Sequence, residues 1–348
     1  MSSQLPGPQT ADPAEAPPIR WGVLGPGEIA GDFTAALLAH TRQRVVAVGS
    51  RSADRAAAFA ARFGVPNVHA SYEALVADPD VDVVYVASPH SEHARHALAA
   101  IAAGKHVLVE KPVATTAALA RRIFDAAADA GVFAMEAMWT RFLPQTGIVA
   151  RLLADGALGD VSLATADFAG GAAPRDPSSR LLDPALAGGA LLDLGVYTTW
   201  WSHLVLGRPD DVVARGVLGP TGVDEQATVL VQAGAATGIG TVGFRGRTAW
   251  TASVSGSAGR IDIDSPWWAS SGLTLLDADG AVQDRWVDPF GRPLRQGLCY
   301  QAAAAATAIA EGRTGCEEHP ADRAVEVLET LDAARHALGY ADPPSWTA

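Results

Sequence analysis

The sequence predicts an α/β protein with a doubly wound parallel sheet at the N-terminal end. A C-terminal α+β domain follows, with a large, mostly antiparallel, open-faced sheet. Three observations predict this. Apolar runs alternate with helical patterns from Ile19 to Met138, the spacing of a parallel sheet with crossover helices. The first run breaks into a glycine-rich turn, Gly25-Pro26-Gly27-Glu28-Ile29-Ala30, and a helix opens at once. After Gly207-Arg208-Pro209 the pattern changes to short alternating runs separated by glycine-rich turns.

Composition bounds the rest. The chain has 348 residues and 49% hydrophobic residues, enough for two domains with substantial cores. The formal net charge of −12 argues against general nucleic-acid affinity, because phosphates would be repelled. The two cysteines, Cys299 and Cys316, fit no metal spacing and no disulfide framework, which suits a reducing, cytoplasmic home. No apolar run is long enough for a membrane span. Met1 to Pro18, rich in Pro, Ser, Gln and Ala, reads as a disordered tail and lacks the basic and apolar regions of a signal peptide.

The first domain, residues 19–138, is read element by element. Ile19 to Leu24 is a strand, and Ile29, Phe33, Ala36 and Leu37 mark one apolar helix face. Gly25, Gly27 and Ala30 fit the dinucleotide fingerprint G-x-G-x-x-G/A of a Rossmann fold. Gly25 allows the tight turn, Gly27 lets backbone approach a pyrophosphate, and Ala30 packs the helix on the strand. The helix start at Glu28 and Ile29 offers unpaired N–H groups to phosphate. The alternative is a plain tight turn. Arg44 to Gly49 is the second strand, ending in Ser50-Arg51-Ser52. NAD-binding folds place an acidic residue near here for the ribose 2′-hydroxyl. This chain has a hydroxyl and a guanidinium instead, which favours NADP(H) with NAD(H) as the second choice. The alternative is that Arg51 is a solvated loop residue and Ser52 only caps the next helix.

Ala56, Phe59, Ala60 and Phe63 give the second helix, Asn67 to Ala70 a short strand, and Tyr72 to Val76 a short helix. Val81 to Ala87 reads as a buried parallel strand that delivers Ser88, His90 and His93 to its carboxyl end, where such sheets bind ligands. His90, His93 and His96 recur every three residues, but they do not face one point and no Cys or carboxylate cluster joins them, so no metal is expected. His93 is either a lining residue of the cofactor pocket or a solvated helix-start histidine. A helix from Ser91 to Ala103, the strand His106 to Val109, a helix from Thr116 to Ala130 and the strand Val132 to Met138 complete the domain. The fifth strand delivers Glu110-Lys111-Pro112.

Together the fingerprint, Glu110-Lys111-Pro112 and the block Glu136-Ala137-Met138-Trp139-Thr140-Arg141-Phe142 resemble the Gfo/Idh/MocA oxidoreductase family. Within it the chain looks closest to the dimeric dihydrodiol dehydrogenases, the NADP-dependent D-xylose dehydrogenases and glucose–fructose oxidoreductase. The second-half match is Gly188 to Tyr197, with tyrosine where many members carry histidine. The resemblance implies that Lys111 and Tyr197 are the catalytic pair and Asp193 the supporting acid. It also implies a homodimer or homotetramer built across the open sheet face. The residues allow such chemistry: a positioned acid/base must handle the alcohol proton, and a nearby ammonium favours phenolate. Asp193 and Tyr197, four apart, would share a helix face. The bland alternatives are a surface lysine, a core aromatic beside Trp200 and Trp201, and a helix-start acid. Glu110, Trp139 and Arg141 are taken as cofactor neighbours, although Arg141 equally suits an interdomain salt bridge. Arg180, in a loop from Gly170 to Leu186 read as a substrate-side lid, is a substrate contact with Asp193 and Tyr197.

In the second domain, residues 139–348, strands are expected at Val212–Leu218, Gln226–Gln232, Gly238–Phe244, Thr248–Ser255, Arg260–Ile263, Leu273–Leu276 and Val282–Trp286. Helices follow at Gln296–Glu311 and from Pro320, and are expected to pack back on the first domain. The expected function is hydride transfer to or from a hydroxyl or carbonyl of a sugar, polyol or trans-diol. Redox-assisted glycoside processing with retained NAD(P), and a non-catalytic dinucleotide-sensing regulator, are the alternatives.

Overall fold

The computed structural model describes residues 5–8, 10–170, 176 and 178–340. They form two compact units. One is Ala11–Phe142 with Arg295–Val325, and the other takes the described residues of 5–10, 143–294 and 326–340.

The first unit is built on six parallel strands: β1 (Arg20–Leu24), β2 (Arg44–Gly49), β3 (Asn67–His69), β4 (Val83–Val86), β5 (His106–Glu110) and β6 (Ala134–Ala137). Their order, β3-β2-β1-β4-β5-β6, reverses direction between β1 and β4. The carboxyl ends at such a switch point form the ligand crevice of doubly wound sheets. Between strands run α1 (Glu28–His40), α2 (Ala53–Phe63), α3 (Tyr72–Val76), α4 (His93–Ala102) and α5 (Ala117–Ala130). Helices on both faces explain why Trp21, Val23, Leu24 and all of β4 are buried. Phe33 of α1 stacks on Tyr85 of β4 at 3.9 Å and meets Trp21 edge-on at 5.3 Å. Ser52, Ser71 and Thr116 cap α2, α3 and α5 through their hydroxyls.

Part of the expected tail is ordered. Asp12 caps a single turn at Pro13–Glu15, and Ala16 is buried against Ala303 and Ala306 of α8 (Leu298–Ala310). Small Ala and Pro side chains seat well there, a fit that composition alone conceals. Residues 1–4 and 9 lie outside the described residues.

The second unit carries α6 (Pro144–Ala154), α7 (Val196–Leu206) and eight strands: β7 (Val161–Ala169), β8 (Asp211–Leu218), β9 (Asp224–Ala233), β10 (Ala236–Gly243), β11 (Ala252–Gly256), β12 (Gly259–Ile263), β13 (Gly272–Asp277) and β14 (Val282–Val287). The order is β14-β13-β12-β11-β7-β10-β9-β8, parallel at β7–β10 and antiparallel elsewhere. The sequence reading missed β7 and α6. Ala and Asp are poor strand formers, and the place of β7 between β10 and β11 overrides that preference. Gly147 weakens the helical signal of α6.

A second difference concerns Thr248 to Ser255, where the strand begins only at Ala252. The Asp167 carboxylate accepts from the N–H groups of Trp250 (2.7 Å) and Thr251 (3.2 Å), and Trp250 takes a φ of 59°. That capture turns the chain out of the ladder. One face of the sheet is covered by α7, which lies so close that a Cβ on Gly240 would sit 2.7 Å from Thr198 Oγ1. Val213, Val217 and Leu230 are exposed on β8 and β9. Among the described residues no helix is long and apolar enough to cross a membrane. A last helix, α9, spans Ala321–Ala337.

Candidate functional site

At the end of β1, Gly25 adopts a φ of 90°, and a Cβ there would lie 3.0 Å from the Ala87 carbonyl beyond β4. Only glycine fits. Gly27 begins α1 with no side-chain cap, and nothing lies within 4 Å of the place its Cβ would take. The helix N-terminus at Glu28 and Ile29 thus has no side chain at Gly27 to block it, as close approach of a pyrophosphate requires. These residues fit a dinucleotide. The Glu28 carboxylate itself pairs with Arg295 at 3.0 Å.

Ser50, at the end of β2, is buried; its hydroxyl accepts from Ser52 N at 3.1 Å. Arg51 is exposed beside it. Arg55, not anticipated from sequence, reaches from α2 toward the Pro26 carbonyl at 3.5 Å.

The three histidines after β4 are buried, not solvated. His93 has its ring nitrogens 2.8 Å from the Ser88 carbonyl and 2.7 Å from the Pro112 carbonyl, so it ties the segment after β4 to the one after β5. His96 Nδ1 meets the Ser88 hydroxyl at 2.9 Å. Burial, with Arg95 adding repulsion, pushes the His96 pKa down to about 4, so its ring is neutral near pH 7. His90 meets the His93 ring edge-on at 5.6 Å. Among the described residues no three His, Cys, Asp or Glu side chains form a metal-sized group.

Lys111 leaves β5 half-buried, and its backbone is gripped on both sides. The Glu110 carboxylate accepts from the Tyr85 hydroxyl and from Lys111 N, and burial pushes its pKa up. Glu136, at β6, accepts from Val113 N at 2.9 Å through one oxygen. Its other oxygen lies 2.9 Å from His319 Nε2, with both side chains 1% exposed. Glu136 and His319 were missed as site residues because they are 183 positions apart, with no shared spacing to read.

Trp139 is buried in the turn Trp139–Phe142. Arg141 donates to the Glu318 carbonyl at 2.7 Å, so its guanidinium holds the segment before α9. Cys316 donates to the Glu318 carboxylate, and burial pushes its thiol up to about 12, leaving it unreactive.

In the second unit Asp193 lies in a wide π-helical turn, Leu191–Gly195, and Tyr197 in the first turn of α7. The expected regular helix from Asp193 to Tyr197 is a π turn running into an α-helix. Arg180 lies 3.7 Å from the Asp193 carboxylate. Residues 171–175 and 177 of the expected lid lie outside the described residues. Tyr197 is 6% exposed and meets Phe168 edge-on at 5.4 Å. Phe168 stacks on Trp268 at 4.7 Å, Trp250 closes the group, and the Arg247 guanidinium sits 4.0 Å over Trp250. This aromatic wall, drawn from β7 and the segments around β11 and β12, was not anticipated.

Comparison with known proteins agrees with this geometry. Residues 19–138 match the description "Oxidoreductase family, NAD-binding Rossmann fold", and residues 148–262 match "GFO/IDH/MocA C-terminal domain". The chain is 36% identical over 337 residues to trans-1,2-dihydrobenzene-1,2-diol dehydrogenase of Macaca fuscata fuscata, covering 93% of this chain and 98% of that protein. The human enzyme of that name is 34% identical over 334 residues, with the same coverage. The structure is similar to that of KijD10, a 3-ketoreductase from Actinomadura kijaniata in complex with NADP and TDP-benzene. The TM-score is 0.79 at 30% identity, covering 92% of this chain and 98% of that one. KijD10 has also been solved with a lysine replaced by alanine and with a tyrosine replaced by phenylalanine. The chain belongs to the Gfo/Idh/MocA family of NAD(P)-dependent oxidoreductases.

Proposed function

We propose that the chain is an NADP(H)-dependent oxidoreductase acting on a CH–OH group of a sugar, polyol or trans-diol, with Lys111 and Tyr197 as the acid-base pair and Asp193 in support. One observation carries this reading. Lys111 leaves the same edge of the parallel sheet as the Gly25–Gly27 cradle, on a backbone fixed by two buried carboxylates. The nicotinamide, when bound, supplies the hydride chemistry. In oxidation the substrate hydroxyl gives its proton to the Tyr197 phenolate as the C–H bond breaks. In reduction the Tyr197 phenol returns that proton to the carbonyl oxygen. A free phenol has a pKa of about 10, and a neighbouring ammonium, the part proposed for Lys111, would favour the phenolate. Lys111 also donates a hydrogen bond to the substrate oxygen. Asp193, with Arg180 beside it, orients the phenol or a second hydroxyl.

NADP(H) is favoured by Ser50 and Arg51, with no acid at the end of β2. Ser88, His90, His93, Glu110, Trp139 and Arg141 shape the cofactor side, with His93 and Glu110 fixing backbone. The aromatic wall beside Tyr197 suits a substrate with a flat, apolar ring face. The exposed valines and leucine of β8 and β9 support a homodimer or homotetramer. Buried, free Cys299 and Cys316 suit a cytoplasmic home.

The test is NADP reduction with a panel of sugars and trans-diols, with product quantified. One reduced cofactor per oxidised product is expected. Product without net reduction would mean redox-assisted processing with retained cofactor. Cofactor binding with no turnover on any substrate would mean a regulator.

A further inference from the structure

Asp224 opens β9 and is 1% exposed, yet nothing in the proposed chemistry uses it. Its carboxylate accepts from Leu191 N at 2.6 Å, and the Ala190 amide also favours its ionised form. Leu191 is the first residue of the wide turn that carries Asp193 and leads into Tyr197. A helix start leaves N–H groups without internal acceptors, and a carboxylate from a strand 33 residues away supplies one here.

The backbone is built to admit it. Gly189 takes a φ of 115°, and a Cβ there would lie 2.3 Å from Asp224 Oδ1. Gly188 is threaded equally tightly, its Cβ position 2.6 Å from the Leu181 carbonyl. The Gly188-Gly189 pair thus lets a carboxylate reach amides that any larger residue would screen.

A wide turn needs such a hold. A π turn contains one residue more than an α turn. Rewinding to α-helical register would swing the preceding side chains by about 100° relative to those that follow. Asp193 lies within that turn and Tyr197 follows it, so rewinding would change the angle between them. We infer that Asp224 is a positioning residue for the reaction, fixing Asp193 relative to Tyr197 by holding the Ala190 and Leu191 amides at the start of the wide turn. This rests on the proposed function of that pair. The charged groups around Asp224 are consistent with the role. Arg335 of α9 favours its ionised form and is itself paired with Asp332, and on the held turn Asp193 is engaged by Arg180.

The experiment compares wild type, Asp224→Ala and Asp224→Asn by hydrogen exchange at residues 190–195, by kcat and KM on the same CH–OH substrate, and by NADPH titration. Losing both acceptor bonds should lower kcat about 30-fold in Asp224→Ala, with faster exchange at 190 and 191. Substrate KM and NADPH affinity should stay within a few-fold of wild type. Asp224→Asn keeps the shape and one acceptor oxygen, so about a fivefold loss of kcat is expected. The Asn variant keeps the test decisive should the Ala variant fail to fold. Wild-type kcat in Asp224→Asn, or a loss confined to KM or thermal stability, overturns the role. The two failures are distinguishable. A wild type inactive on every substrate contradicts the proposed function, whereas an active wild type with an equally active Asp224→Asn contradicts the positioning role alone.

Discussion

The loop that carries Lys111 and the turn that carries Asp193 and Tyr197 meet the same need in different ways. Each is irregular backbone at an element's end. In each, a buried carboxylate from another strand accepts an amide two residues from a candidate catalytic side chain: Glu136 from Val113, Asp224 from Leu191. The Lys111 grip is completed by a second side chain, His319, and by Glu110 on the other side. The Tyr197 grip is completed by backbone amides and admitted by the missing Cβ of Gly189. The first therefore leaves charged residues in a motif, and the second leaves a pair of glycines. In both cases the irregular backbone beside the candidate side chains is held from outside its own segment, so the anchoring residue is hard to recognise locally.

The largest effects should come from the side chains the two anchors present. Lys111→Ala and Tyr197→Phe should each lower kcat by about 10²- to 10⁴-fold, the worth of a positioned acid or base. Fluorescence titration should show that both still bind NADPH. Activity surviving in only one variant would mean that one of the two regions is not part of the chemistry. Next comes the cofactor side. Arg51→Ala should weaken NADPH binding about 10- to 100-fold by removing charged hydrogen bonds to the 2′-phosphate, and leave NADH binding unchanged. An equal loss for both cofactors would show Arg51 to be a loop residue.

Glu136→Ala should cost about 1–3 kcal/mol in urea unfolding, because Val113 N and His319 lose a buried acceptor. Unchanged stability would mean that water replaces the carboxylate and that the Lys111 grip is weaker than its geometry indicates.

The smallest effect is a pH dependence. Burial pushes the Asp224 carboxyl up to about 7. The folded protein then keeps a proton that the unfolded chain releases from about pH 4 upward, so this group's contribution to stability falls as pH rises toward 7. His96, held down to about 4, does the opposite: its contribution is present above about pH 6.5 and is lost as pH falls. The two slopes oppose each other in the wild type. In Asp224→Asn the His96 slope should stand unopposed, and Tm should fall more steeply on acidification than in the wild type. Parallel Tm profiles for the two proteins would contradict the burial of Asp224.

Much of the fold was legible because its signals are local. Gly25, Gly27 and the strands of the first unit, alternating with helices, announce themselves within short windows, and so do most of the strands from β8 to β14. β7 was not legible, since Ala164, Ala166 and Asp167 give no strand preference and only the neighbours β10 and β11 make it one. The segment before Ala252 was misread because Asp167 captures its amides from 83 residues away. Within the candidate site, residues in motifs could be named. Glu136 was visible only as part of a family block, and His319, Asp224, Phe168 and Trp268 were not visible as site residues. Their meaning lies in a partner brought close by the fold. The wide turn at Leu191–Gly195 likewise has no sequence signature beyond the glycines that flank it.

The most direct test of Lys111 and Tyr197 as one acid-base unit is the kcat/KM of Lys111→Ala, Tyr197→Phe and the double variant, each normalised to its NADPH affinity. Residues acting as a unit are strongly non-additive, so the double variant should be no slower than the slower single variant within a few-fold. Losses that multiply in the double variant, or a single variant with wild-type kcat/KM, would show that the two residues do not share one proton-handling step.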